Sequence, residues 1–190
     1  MNTFEQHIRN LVPELGNTTI ITTKCFDVAF KVLDLIKAGN IPDPGDEYLL
    51  ILLSGLYYAK LPDGSVAINI SQDLANLLTD EELRAATLHE VGHLVNEDHK
   101  HVEVGDFFVN KDELEIRADR YALDQGVTAE CLWSSILKIT EQSIRQTCAW
   151  KSIVQNKKMK VASVDAAVQE AIAMVPKLEA SRYNALFPNS

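Results

Sequence analysis

Two histidines four residues apart, His89 and His93, enclose an acid in the stretch His89-Glu90-Val91-Gly92-His93. On an α-helix, residues four apart differ by about 40° around the axis, so both imidazoles project from one face and can share one tetrahedral ion. Glu90 lies beside that face, placed to reach a metal-bound water rather than the metal. That is the arrangement of metal-assisted hydrolysis, with His89 and His93 as zinc ligands and Glu90 as general base. A random H-E-x-x-H match arises in roughly one chain of this composition in a hundred. The setting narrows it further, because the motif falls inside a capped helix with small Gly92 on a turn that must pack closely.

A catalytic zinc keeps three protein ligands and an open position, so one more donor is needed. Two candidates compete. In Glu115-Ile116-Arg117-Ala118-Asp119 the two acids share a helical face, so Glu115 can bind zinc while Asp119 accepts a hydrogen bond from the far nitrogen of a zinc histidine. Alone, this stretch also reads as a solvated acidic helix start. His99 stands six residues after His93 and completes H-E-x-x-H-x-x-N-x-x-H, the third-histidine spacing of metzincins with Asn96 in place of Gly. Its surroundings, Asp98-His99-Lys100-His101, are those of a polar loop, and no later segment resembles a Met-turn; these contexts favour Glu115.

The elements that must hold these residues are legible in outline. Thr79-Asp80-Glu81-Glu82 opens a helix with a capping box that runs through His93, and a second helix spans about Lys111 to Gln125 before Gly126. Further helices fill Thr128 to Gln155 and about Val161 to Leu186, and an amphipathic helix is expected over Cys25 to Ala38, followed by the loop Ile41 to Asp46. Tyr48 to Leu53, Leu56 to Lys60 and Val66 to Ile70 read as strands of a small antiparallel sheet, with Pro62-Asp63-Gly64 turning between the last two. In the last strand Val66, Ile68 and Ile70 alternate with Ala67, Asn69 and Ser71, which predicts one core face and one polar face. An exposed edge there can pair with an extended peptide.

Composition bounds the rest. The 190 residues, 46% hydrophobic and 24% charged, are enough for one domain with its own core. The divisions expected within 1–190 are an N-terminal helical part (1–40), the sheet with the zinc-site helices (48–126) and the C-terminal helices (127–190). A formal charge of −9 without a basic stripe speaks against a nucleic-acid partner, and the short run Lys157 to Lys160 does not offset it. The longest apolar run, Tyr48 to Ala59, is too short to span a bilayer, so no integral membrane segment is expected. Cys25, Cys131 and Cys148 lie far apart with no metal or redox spacing, which agrees with buried thiols in a reducing, cytoplasmic setting.

Taken together, Gly64 to Ser71, Leu78 to Leu83, His89 to His93, and Glu115 to Asp119 followed by Tyr121 and Ala122 resemble, in the same order, the gluzincins of the HtpX and CAAX-prenyl-endopeptidase type and their small soluble relatives, the minigluzincins. The resemblance implies an α+β fold: a mainly helical zincin-type metallopeptidase domain whose small antiparallel sheet carries a substrate-binding edge strand. It also implies one Zn2+ per chain on His89, His93 and Glu115, Glu90 as general base and Asp119 as support behind a ligand. Val66, Ala67, Ile68, Asn69 and Ile70 would bind the substrate, a peptide or unfolded protein. The chain departs from the family near its C-terminus, where Val175 stands in place of His; Arg182 there reads as a surface residue. A different class of function is a metallopeptidase-like regulator or latent zymogen that binds a partner, against which the intact Glu90 argues.

Overall fold

The computed structural model describes residues 3–24, 53–61, 63–98, 111–154 and 161–188, together with scattered positions between 27 and 39. Helix α1 (Thr3–Leu11) places Ile8 in the core and is tied along its outer face by an ion pair from Arg9 to Glu5, four residues back. Pro13 opens a single 3-10 turn, Pro13–Leu15, because proline lacks the N–H that would prolong the helix. Arg9 then donates to the carbonyls of Gly16 and Thr18, fastening α1 to the strand that follows.

That strand, β1 (Thr19–Thr23), falls in the part expected to be helical. It pairs in parallel with β3 (Val66–Ser71), while β2 (Leu56–Lys60) pairs with β3 from the other side in antiparallel sense. The sheet is therefore mixed, not antiparallel, and its order is β1-β3-β2. Two expectations fall with this. Val66–Ser71 is the central strand, with both edges occupied, so it cannot be the edge that takes a peptide. Nor does it keep a polar face, since every residue from Ala67 to Ser71 is buried. Asn69 is accommodated there by accepting a hydrogen bond from the Thr23 hydroxyl. The β2–β3 turn is held by Gly64, whose φ of +84° suits glycine, and by Asp63, which accepts from both the N–H and hydroxyl of Ser65. Leu53 and Ser54 are helical rather than extended, and the rest of the strand expected over Tyr48 to Leu53 lies outside the described residues, as does much of the helix expected over Cys25 to Ala38.

Ser71 ends β3 and caps the short helix α2 (Gln72–Ala75) by accepting from Leu74 N–H. Helix α3 (Asp80–Val95) follows with both halves of its capping box made: Thr79 Oγ1 accepts from Glu82 N–H, and the Glu82 carboxylate accepts from Thr79 N–H. It is buried on nearly all sides, from Leu83 through Ala85, Ala86, Leu88 and Val91, because α1, β2, α4 (Lys111–Asp124) and α5 (Ala129–Val154) surround it. Helix α4 stops at Gly126, φ +83°, where Gly126 N–H reaches Leu123 O and Val127 N–H reaches Ala122 O, the paired bonds of a Schellman ending. Helices α6 (Val161–Leu178) and α7 (Ala180–Leu186) complete the C-terminal part; the break at Glu179 divides what the sequence suggests is one helix. Cys131 and Cys148 are free, half-buried thiols on α5. Helices carry most of the described residues, an α+β composition, and among them no helix is long and apolar enough to cross a membrane.

Candidate metal centre

Helix α3 delivers His89 and His93 side by side, and α4 lays Glu115 against them. The approach of the two helices is set by Gly92: a Cβ at that position would meet Ala118 Cα and its carbonyl oxygen at 2.9 Å, so only glycine admits α4 so close. At this crossing His89 Nε2 lies 3.1 Å from His93 Nε2 and 3.2 Å from Glu115 Oε2, and His93 Nε2 lies 3.8 Å from Glu115 Oε1. One ligand atom from each of the three residues falls within 4.8 Å of the others. An ion bound tetrahedrally at about 2.0–2.1 Å spaces its donors about 3.3 Å apart, so this spread is the right size for one small cation.

The far side of each imidazole is occupied by a carboxylate. His89 Nδ1–H donates to Asp119 Oδ1 at 2.8 Å and His93 Nδ1–H donates to Asp98 Oδ2 at 2.8 Å; because ionised carboxylates only accept, the proton belongs on Nδ1 and Nε2 turns inward. Asp119 thus stands where its spacing from Glu115 suggests. Arg182 does not stay on the surface. It is buried, donates to Asp119 through Nε at 2.9 Å and NH2 at 2.7 Å, and reaches Glu115 Oε2 through NH1 at 2.9 Å. The break before α7 puts it there, and Trp133 on α5 holds α7 in place by edge-on contact with Tyr183, ring centroids 5.1 Å apart. Arg182 and Asp98 are the residues that sequence reasoning missed or misplaced. Neither sits at a motif spacing, and only the pattern of an arginine on a late helix hinted at the first.

Electrostatics follow from this packing. Burial alone would push the Glu115 carboxyl up, but Arg182 and the two histidines outweigh it and hold it well below the usual carboxylate range. Burial also opposes charge on His89, yet its hydrogen bonds to Asp119 and Glu115 prevail and push it up to about 10. Glu90 behaves oppositely. Burial raises its carboxyl more than the nearby histidines lower it. Glu90 Oε2 accepts from Tyr58 N–H at 3.1 Å, and the Tyr58 ring stacks obliquely on His93 with centroids 5.3 Å apart. The Tyr58 hydroxyl is kept neutral by burial and by the acids around it.

Compared with protein-family models, curated proteins and solved structures, the chain matches none. The donor set itself must therefore decide what fits. Two imidazole nitrogens and a carboxylate oxygen, each pinned from behind, match zinc better than the all-oxygen cages of calcium or magnesium. His99 and His101 lie outside the described residues.

Proposed function

We propose that this chain is a zinc-dependent endopeptidase of the gluzincin type, hydrolysing peptide bonds in extended polypeptide. The observation that carries this reading is the convergence of His89, His93 and Glu115 on one point with Glu90, drawn upward by burial, on the adjoining turn of the same helix. His89, His93 and Glu115 would hold a zinc ion, which would supply Lewis acidity for the scissile carbonyl and lower the pKa of an attacking water. Glu90 takes the proton of the attacking water on its carboxylate and delivers it to the leaving nitrogen. Asp119 and Asp98 keep both imidazoles aimed inward, and Arg182 keeps Glu115 ionised.

The substrate strand belongs on β2 rather than β3. β2 is an edge of the sheet, it packs on α3, and its Tyr58 N–H points away from β3 toward Glu90. A peptide lying along that edge would run beside Glu90, within reach of the three ligand residues. Digestion of a peptide library by the zinc-loaded protein, with Glu90→Gln as control, tests the assignment: wild type should cleave and Glu90→Gln should bind zinc yet not cleave. Equal cleavage by both proteins would refute the catalytic role of Glu90.

A further inference from the structure

Each histidine of the centre leans on a carboxylate, and each carboxylate is gripped by an arginine. His89, Asp119 and Arg182 form one such series; His93, Asp98 and Arg117 form the other. The second is not written in any spacing motif. Asp98 follows the end of α3 by a tight turn in which Glu97 takes φ +57°, a left-handed conformation that is strained for a non-glycine residue and persists only where the surroundings demand it. The turn buries the Asp98 side chain completely, while its Oδ2 accepts from His93 Nδ1–H and its Oδ1 accepts from Arg117 NH2.

We propose that Asp98 is a positioning residue that fixes the tautomer and orientation of His93 for zinc, with Arg117 acting through it as a clamp. The burden of the pairing runs in that direction. A carboxylate with no solvent exposure costs several kcal/mol unless compensated, whereas the Arg117 side chain is 41% exposed and could be solvated without a partner. The arginine serves the acid, and the acid serves the histidine. Behind a ligand, such a carboxylate holds the ring and raises its basicity toward the metal.

This inference rests on the zinc reading above, and its test separates the two. Zinc affinity is measured by competition with a chelator on the whole chain, and cobalt substitution reports ligand geometry through its visible bands. Wild type should bind one ion, and Asp98→Ala should bind it about 10- to 100-fold more weakly with shifted cobalt bands. Arg117→Ala should lose less. The double variant should be no weaker than Asp98→Ala within about twofold, because Arg117 acts only through Asp98. A wild-type protein that takes no zinc would sink the centre and this inference with it. A wild type that binds while Asp98→Ala binds equally well, or a double variant with fully additive losses, would overturn the positioning role alone. Should Asp98→Ala fail to fold by circular dichroism, Asp98→Asn and Arg117→Ala decide: unchanged zinc affinity and cobalt bands in both would overturn it.

Discussion

Glu115 and Asp119 stand one helical turn apart and face opposite nitrogens of the same imidazole, so under the proposed zinc reading they do different work, and substitution should separate them. Glu115→Ala leaves two donors for the metal and should abolish tight zinc binding. Asp119→Ala leaves all three donors and removes only what aims His89, a loss of about 10- to 100-fold in affinity. His99→Ala should hold zinc like wild type. Equilibrium zinc titration of these variants checks the order; a His99→Ala protein unable to hold zinc while Glu115→Ala can would transfer the third-ligand role. This part of the site was legible because two acids at a helical interval announce a shared face. Arg182 was not, since an ion pair between residues 63 apart leaves no periodic trace.

At the scale of elements, α3 is held at its start by a single acid doing several jobs. Glu82 closes the capping box and also accepts from Ser134 Oγ and Lys138 Nζ on α5, each at 2.7 Å. Burial works against its charge, but these hydrogen bonds outweigh it and lower its carboxyl from 4.5 to about 2. An acid depressed on folding stabilises the fold fully above its unfolded value and loses that contribution as pH falls through the folded one. The stabilisation should therefore drain away between about pH 4.5 and 2. With partial solvent screening at Lys138, Glu82→Gln should cost on the order of 1–2 kcal/mol near pH 7 and progressively less as pH falls to 2 and below, measured by urea unfolding across pH. Further along, Gly92→Ala sets two effects against each other. Alanine favours the helix by about 1 kcal/mol, but its Cβ meets the Ala118 backbone at 2.9 Å, and backbone cannot escape by changing rotamer. Overpacking of about 1–3 kcal/mol should win, lowering the melting temperature and weakening zinc binding together as α4 is pushed from α3.

Across the molecule, the site depends on elements far apart in the chain, from β2 to α7. Trp133, nearly buried, packs α5 against Tyr183 on α7 and so stands behind Arg182. Trp133→Ala should cost about 3–5 kcal/mol in chemical denaturation and loosen zinc binding with it. β2 is an edge strand of the sheet and packs on α3. Tyr58→Pro removes the N–H that Glu90 accepts, while Tyr58→Ala keeps it and loses only the ring. If that N–H orients Glu90, the proline variant should lose the more turnover of the two with zinc content unchanged; equal kcat values would exclude that role.

Features that repeat within one element are legible in the chain's local pattern: the capped helix α3, the His89–His93 face with Glu90 beside it, the Glu115–Asp119 face of α4, and the glycine endings of helices. These are set by periodicity and by local hydrogen bonding, so neighbouring residues suffice to specify them. Long-range packing sets the rest: β1 joins the sheet in parallel, β3 lies in its centre and β2 at its edge, Asp98 stands behind His93, and Arg182 grips Asp119 and Glu115. Strand order depends on which segments bury which faces across long loops, and a five-residue strand such as β1 carries too little pattern to declare itself. The burial of Arg182 likewise follows from where α7 docks, because a guanidinium enters the interior only when carboxylates from another helix are already there to receive it.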